Sequence, residues 1–282
     1  MRKALMFAAA VVTSLTLVTG CGSDEPDNSG AQAPTPPAPS PSASLEPSSP
    51  APTGSPSTGS PSTGSPSPAP TTPPAPEKPK PKKLKVGAKG PEVLALQKRL
   101  VELGYWIAKT DGKFGGTTQQ AVFALQKAAG VGRDGVVGPK TQKALDEGVR
   151  PTAKSKSGSG YLVEIDLRKQ LLMLVRDGEV VTTLNTSTGS NENYEHEGRT
   201  YLADTPTGKF KVGRQIDGMR NGPLGDLWRP KYFNGGIAVH GSPSIPPYPA
   251  SHGCARLSNA AMNWIWATDK IPLKTKVWVY RS

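Results

Sequence analysis

One cysteine and two histidines lie close together near the C-terminal end of the sequence. Cys254 follows His240 by 14 positions and His252 by two. A thiolate is a strong nucleophile, and a neighbouring imidazole can generate it near neutral pH. The other cysteine, Cys21, falls in an N-terminal processing sequence, so Cys254 is left without an intrachain disulfide partner. This spacing predicts a cysteine nucleophile that is served by a histidine base.

Two other roles for these residues stay open at this point. Cys254 could be an inert buried thiol, since free cysteine is often buried. His240, His252 and Cys254 could also bind zinc. A structural zinc site usually takes four tetrahedral ligands, however, and the stretch contains no HxH or HxxxH pair. We therefore predict an enzyme that uses no metal and no cofactor.

Glycines and prolines should position the three side chains. The apolar run 237–239 predicts a strand that ends before His240, and Gly241 is expected to break it. Four prolines should then hold the connection extended. Gly253 permits a sharp turn beside the cysteine, where backbone N–H groups could stabilise an oxyanion. The four prolines are Pro243, Pro246, Pro247 and Pro249.

The stretch resembles a known family signature. His-Gly at 240–241, followed by Ser-His-Gly-Cys-x-Arg at 251–256, closely resembles the signature of the YkuD family of L,D-transpeptidases. The segment TPTGKF at 205–210 resembles that family's TPTG-x-F segment. The resemblance covers roughly residues 161–280. It implies an enzyme that crosslinks peptidoglycan through a cysteine acyl-enzyme.

The resemblance also implies a role for each site residue. It makes Cys254 the nucleophile and His240 the base, and the backbone carbonyl of Gly241 would orient the imidazole. The residues that shape the oxyanion site would be His252 and Gly253. The candidates for substrate contact are Ser251, Arg256 and Tyr232.

The N-terminus predicts export and lipidation. A short basic segment precedes 15 apolar or small residues, 4–18, which suits a signal peptide. A membrane-spanning helix needs about 20 such residues. Residues 18–21, VTGC, resemble a bacterial lipobox. We expect residues 1–20 to be removed and Cys21 to carry lipid, which would hold the protein on the outer face of the cytoplasmic membrane. Ordinary secretion is the alternative.

Residues 21–83 predict a disordered linker. They hold 19 of the 30 prolines, with repeated Ser, Thr and Gly, and such a segment buries too little apolar surface to fold. The chain carries a net charge of +12. Nucleic acid is a common partner of basic chains, but the export signal argues against it, so we predict no nucleic acid partner. The anionic cell wall is the expected counterpart.

Residues 84–149 predict a small helical module with an internal repeat. Apolar positions recur at helical spacing before Gly104 and again before Gly130, two helix stop signals. The loops 111–118 and 134–141 have similar sequences. Together with the Leu-Gln pairs at 96–97 and 125–126, they resemble the three-helix peptidoglycan-binding domain of type 1. We expect this module to fold alone and a flexible linker, 150–160, to follow it.

Residues 161–282 predict a mainly-β catalytic domain. Segments 161–167 and 171–176 are strand-like, and Asp177-Gly178 predicts a hairpin turn into the next strand. The polar segment 191–199 predicts a loop in which His196 is solvated. Residues 217–233 are a candidate substrate wall or lid, and 276–280 predict a closing strand. Short strands at these spacings favour a β-sandwich or barrel-like fold.

Three functions remain open from the sequence. The first is a lipid-anchored L,D-transpeptidase that acts on tetrapeptide stems of peptidoglycan. The second is an L,D-carboxypeptidase, in which water resolves the same acyl-enzyme. The third is a wall-binding tether whose catalytic domain is silent, which the intact set of Cys254, His240 and His252 argues against.

Overall fold

The computed structural model describes residues 83–282. The predicted signal peptide, the lipidation site Cys21 and nearly all of the predicted linker lie outside the described residues. The described part of the chain falls within one compact unit. No helix among residues 83–282 is both long and apolar enough to cross a membrane.

The helical module contains α1 (Pro91–Glu102), α2 (Gly116–Ala129) and α3 (Pro139–Asp146). Its helical character agrees with the sequence prediction. Gly104 has a φ of 82° just after α1, and Gly130 caps α2 with a φ of 66°. Both conformations suit glycine, which is why the helices end there.

Hydrogen bonds of two buried glutamines explain why the Leu-Gln and Asp-Gly motifs are repeated. The side-chain amide of Gln97 donates to Thr118 Oγ1 at 3.0 Å and accepts from Gly112 N at 2.8 Å. Gln126 makes the equivalent bonds to Thr141 and Gly135 at 3.1 and 3.0 Å. Buried amides need such partners. The repeated residues therefore hold each loop against its helix.

The catalytic domain is mainly β, as predicted. Its first sheet has the order β3-β2-β1-β12-β6, and its second the order β11-β10-β9-β7, with β8 also paired to β9. The strands of the first sheet are β1 (Tyr161–Asp166), β2 (Leu171–Arg176), β3 (Glu179–Asn185), β6 (Gly208–Lys211) and β12 (Lys276–Tyr280). Those of the second are β7 (Arg214–Gln215), β8 (Met219–Arg220), β9 (Leu227–Asn234), β10 (Ile237–Ser242) and β11 (Ala255–Ser258).

One hydrophobic core joins the two sheets. It takes Val163 and Val277 from the first sheet and Val239 and Leu257 from the second. Helix α4 (Asn259–Ala267) begins at Ser258, whose hydroxyl accepts from Ala261 N at 3.2 Å, and it adds Ile265 to the same core. Two sheets around one core match the predicted sandwich-like architecture.

The segment predicted as a polar loop is instead largely a hairpin. Strand β4 (Asn193–His196) pairs antiparallel with β5 (Arg199–Leu202). None of the strand residues is buried: β4 alternates between exposed and half-buried residues, and β5 is exposed throughout. The segment therefore lacks the buried face that marks a half-buried strand. The His196 side chain, expected to be solvated, is only 26% exposed and lies near the ring of Tyr201.

The middle of the chain makes contacts that the sequence did not predict, although whether the helical module folds alone stays a prediction. The segment predicted as a free linker is packed, since Lys154 N and Ser155 N each donate to the buried carboxylate of Glu164 at 2.8 Å. The helical module also continues the edge of the first sheet, where Tyr105 pairs with Thr183. The module covers that sheet edge, which would otherwise expose unpaired backbone groups.

Candidate active site

The predicted site residues line one open cleft of about 850 Å³. It lies at the end of the second sheet, beside the β4–β5 hairpin. Ligand sites are usually clefts in which a few polar groups converge on the ligand. Six of the predicted residues line this cleft: Tyr232, His240, Ser251, His252, Cys254 and Arg256.

His240 is a buried imidazole with one fixed nitrogen. It lies in β10 with 5% of its surface exposed, and Nδ1 is 2.9 Å from the carbonyl oxygen of Gly241. A carbonyl can only accept, so Nδ1 carries the proton and Nε2 is left as the acceptor. Burial lowers the pKa of His240 to about 4; the charge of Arg256 adds to this effect and the Gly241 bond opposes it. The imidazole is therefore neutral and can take a proton through Nε2.

Cys254 directly precedes β11 and is partly buried. Its Sγ accepts from Ala238 N at 3.4 Å and lies 3.9 Å from the carbonyl oxygen of Gly236. Burial raises the pKa of the thiol, while the Ala238 N–H and the charge of Arg256 act in the opposite direction. Burial thus favours the uncharged forms of both the thiol and the imidazole. The proton is best removed as the sulfur attacks, by general base catalysis.

A tight turn holds the cysteine in place. Ser251 Oγ accepts from Gly253 N at 3.0 Å and donates to the carbonyl of Cys254 at 2.6 Å. The Ser251 hydroxyl, a candidate for substrate contact, therefore makes its hydrogen bonds within the turn. The Gly253 N–H also makes its hydrogen bond within the turn, so Gly253 shapes the site through its backbone conformation. Its φ is 138°, and a Cβ there would lie 2.7 Å from Asp204 O.

Thr205 lies outside this turn and stabilises it by hydrogen bonds, a role that the sequence did not assign to it. Its hydroxyl donates to the carbonyl of Gly253 at 2.6 Å and accepts from Gly189 N at 2.9 Å. Only 3% of Thr205 is exposed. The TPTG segment noted in the sequence therefore supports the nucleophile turn through its first threonine.

Gly241 does not break its strand. Strand β10 continues to Ser242 and pairs in parallel with β11, so that His240 stands opposite Arg256. A Cβ on Gly241 would lie 2.6 Å from Asn259 Oδ1 and 2.9 Å from Trp228. The glycine is needed for close packing, and its carbonyl is the group that holds His240, as the resemblance implied.

Aromatic and basic residues missed in the sequence complete the cleft. The exposed ring of His252 contacts Tyr194 of the hairpin, with centroids 4.6 Å apart. The guanidinium of Arg214 lies 3.8 Å from the centre of the Tyr232 ring. Arg214 and Arg220 also line the cleft, as do the acidic residues Asp204 and Asp226. The lining therefore carries charges of both signs, and its arginines can bind a carboxylate.

Much of the predicted substrate wall lines the cleft, namely Arg220, residues 222–227 and Tyr232. Trp228 does not, because it packs on the core and donates to Asn263 Oδ1 at 2.8 Å. Phe233 is a core residue. Among residues 83–282, no group of three or more His, Cys, Asp and Glu side chains is placed to hold a metal ion.

A cysteine and a neutral imidazole in one cleft, on a two-sheet β domain, define a site suited to nucleophilic acyl transfer. Residues 160–279 match the family model of the L,D-transpeptidase catalytic domain, YkuD. Residues 89–145 match the model of the peptidoglycan binding domain. The structure of an L,D-transpeptidase from Xylanimonas cellulosilytica is 60% identical; the match covers 72% of this chain and 100% of that one, with a TM-score of 0.69. The chain belongs to the YkuD L,D-transpeptidase family.

Curated relatives are similar over shorter stretches. The N-acetylmuramoyl-L-alanine amidase CwlL of Bacillus licheniformis is 53% identical over 64 residues, which are 22% of this chain and 18% of CwlL. The amidase CwlM of Mycobacterium tuberculosis is 39% identical over 56 residues, which are 20% of this chain and 14% of CwlM. The chain spans less than a third of the length of the curated relatives it matches.

Proposed function

We propose that this protein is a cell-wall L,D-transpeptidase that forms peptidoglycan crosslinks through a thioester on Cys254. The observation that carries the proposal is the bond from His240 Nδ1 to the Gly241 carbonyl, which leaves Nε2 free in the cleft that Cys254 lines. The 60% identity to a solved L,D-transpeptidase supports the reaction class.

The reaction proceeds in two acyl transfers. The Cys254 sulfur attacks the carbonyl carbon of the L,D peptide bond in a tetrapeptide stem while His240 Nε2 takes the thiol proton. The tetrahedral intermediate collapses to a thioester, and the imidazolium gives its proton to the departing amine of the terminal D-residue. An amine of a second stem then attacks the thioester. His240 takes the proton of that amine and returns it to the sulfur, which restores the thiol.

Substrate binding uses the basic and aromatic rim of the cleft. Arg256 and Tyr232 line it, as do Arg214 and Arg220. A tetrapeptide stem ends in a carboxylate, and guanidinium groups bind carboxylates with paired hydrogen bonds. We assign the stem carboxylate to this rim and the ring of His252 to the wall beside the β4–β5 hairpin.

Incubation with disaccharide-tetrapeptides, followed by mass spectrometry, tests the proposed reaction. We expect a crosslinked dimer with loss of one terminal D-residue. Release of the D-residue without a dimer would instead assign L,D-carboxypeptidation, with water as the acceptor. If neither product forms, while Cys254 is present and the protein is folded, the wall-binding tether is the correct function.

Binding and anchoring are separate parts of the proposal. The helical module would retain the enzyme on peptidoglycan, and the N-terminal segment would export it and attach lipid to Cys21, outside the membrane. Co-sedimentation of the protein with purified sacculi tests the first part. Labelling of growing cells with a tagged fatty acid tests the second, because Cys21→Ser should abolish incorporation. Label that persists in the Ser variant would contradict lipidation at Cys21.

A further inference from the structure

The loop that joins the base to the nucleophile is held mainly through its carbonyl groups. Residues 243–250 connect His240 to the Cys254 turn without regular structure. Prolines lack an N–H, so this proline-rich loop offers few donors and depends on donors from elsewhere. The Ile245 carbonyl accepts from Gln120 at 3.3 Å, and the Pro247 carbonyl accepts from Arg133 at 3.2 Å.

Both of these donors belong to the helical module. Gln120 lies in α2 and Arg133 lies in the loop that follows α2. The catalytic domain adds two donors, Asn185 to the Ile245 carbonyl at 3.4 Å and Ser187 to the Tyr248 carbonyl at 2.8 Å. Gln120 is itself fixed, because Asn185 of β3 donates to its side-chain oxygen at 2.6 Å. A continuous set of hydrogen bonds therefore runs from the first sheet, through α2, to the loop between base and nucleophile.

A buried lysine fixes α2 against the catalytic domain. Lys127 is 1% exposed, and its Nζ donates to the carbonyls of Gln170 at 3.0 Å and Thr186 at 2.9 Å, and to the side-chain oxygen of Asn185. An ammonium has three donors, and here each has an acceptor. Burial lowers the pKa of Lys127 to about 6, but the three oxygens favour the charged form. Such a polar centre tolerates little displacement, since a lost partner leaves a buried donor unpaired.

We propose that the peptidoglycan-binding module is part of the catalytic unit, in which Gln120 and Arg133 are positioning residues for the loop 243–250. Pro243 and Ser244 of that loop line the cleft, so the module sets one wall of the substrate site. This inference rests on the proposed transpeptidase function. In this arrangement, attachment to the cell wall and recognition of the substrate are properties of a single rigid body.

The double variant Gln120→Ala/Arg133→Ala tests the inference, and Gln142→Ala/Lys143→Ala is the matched control. The control residues are exposed on α3, where Gln142 bonds to Asp146 and Lys143 pairs with Glu147 at the C-terminal cap of the same helix. Three rates are measured: turnover of disaccharide-tetrapeptide, alkylation of Cys254 by iodoacetamide, and alkylation by an iodoacetylated tripeptide.

If the double variant displaces the loop 243–250, only the reactions that use this side of the substrate cleft should become slower. Displacement by about 1 Å can cost on the order of 100-fold in rate, so we expect turnover and peptide alkylation to fall at least about tenfold. Iodoacetamide alkylation should stay near that of the wild type. The melting temperature should fall by only about 2–4 °C per kcal/mol, because Asn185 loses one partner, and the control should match the wild type throughout.

Two results would overturn the inference. One is wild-type turnover and peptide alkylation in the double variant. The other is a parallel loss of iodoacetamide alkylation, peptide alkylation and melting temperature, which would mean that these residues only stabilise the fold. If the wild type turns over no tetrapeptide, the proposed function fails, while the ratio of the two alkylation rates still decides the inference.

Discussion

Replacing Thr205 with Val should destabilise the turn that carries the nucleophile. Valine keeps the shape of threonine and removes the hydroxyl. The Gly253 carbonyl and the Gly189 N–H, now bonded at 2.6 and 2.9 Å, would both lose their partner. A buried polar group left unpaired costs about 1–3 kcal/mol, so the loss of both partners should cost about 2–6 kcal/mol. In a unit of this size, each kcal/mol lowers the melting temperature by about 2–4 °C.

Thermal unfolding and turnover measure the two consequences. We expect the Thr205→Val variant to melt about 4–24 °C lower and to turn over tetrapeptide more slowly, because Gly253 adjoins Cys254. Thr205→Ser is the control: it keeps the hydroxyl and should retain most of the stability and the activity. A Val variant that melts within about 2 °C of the wild type would refute the reasoning, because a loss of even 1 kcal/mol should shift the melting temperature by about that much.

Three further outcomes can be checked directly. Gly241→Ala should lower the melting temperature, since its Cβ would lie 2.6 Å from Asn259 Oδ1 and overpacking costs about 1–3 kcal/mol; Gly213→Ala, whose Cβ meets nothing within 4 Å, is the control. The kcat/KM of the wild type should persist well below pH 6.5, because the neutral base is lost only as the pH falls through the His240 pKa of about 4; an acid limb centred near pH 6.5 would contradict this. Prolonged EDTA treatment should leave turnover intact, because thiol and imidazole carry the chemistry; loss on chelation with recovery in Zn²⁺ would contradict it.

The chemistry of the site could be proposed from residue types, whereas its supports could not. Cys254, His240 and His252 stood out because thiol and imidazole groups are few in this chain. Thr205 did not, because its role needs Gly189 and Gly253, which are distant in sequence and meet only through the fold. Periodicity and turn residues give local structure, but long-range hydrogen bonds depend on the tertiary arrangement.

Gly241 and the β4–β5 hairpin show how local signals mislead. Glycine is a turn signal, but at Gly241 the space beside Trp228 and Asn259 decides, and the strand continues. The hairpin buries none of its strand residues, so the buried apolar face that marks a strand in a sequence is missing there. At Gly241, by contrast, the deciding contacts come from outside the segment.

The sequence of α2 indicates that the helical module packs against a second part of the protein. Residues 121–127 of α2 are buried without exception, and the run AVFALQK is apolar on several faces of the helix. A helix that is apolar all round is packed on more than one side. That pattern predicts contact with a second body, although the buried ammonium of Lys127 could be located only in the structure.

The central claim is that His240, through Nε2, is the base that activates Cys254. The most direct test compares His240→Gln with the same change at His252, measuring the initial rate of terminal D-residue release from a disaccharide-tetrapeptide. Loss of a general base should lower this rate by about 10²–10⁴, so the His240 variant should fall by that factor. The His252 variant, whose exposed ring only lines the cleft beside Tyr194, should keep most of the rate. The opposite ranking, with release intact in His240→Gln and abolished in His252→Gln, would contradict the claim.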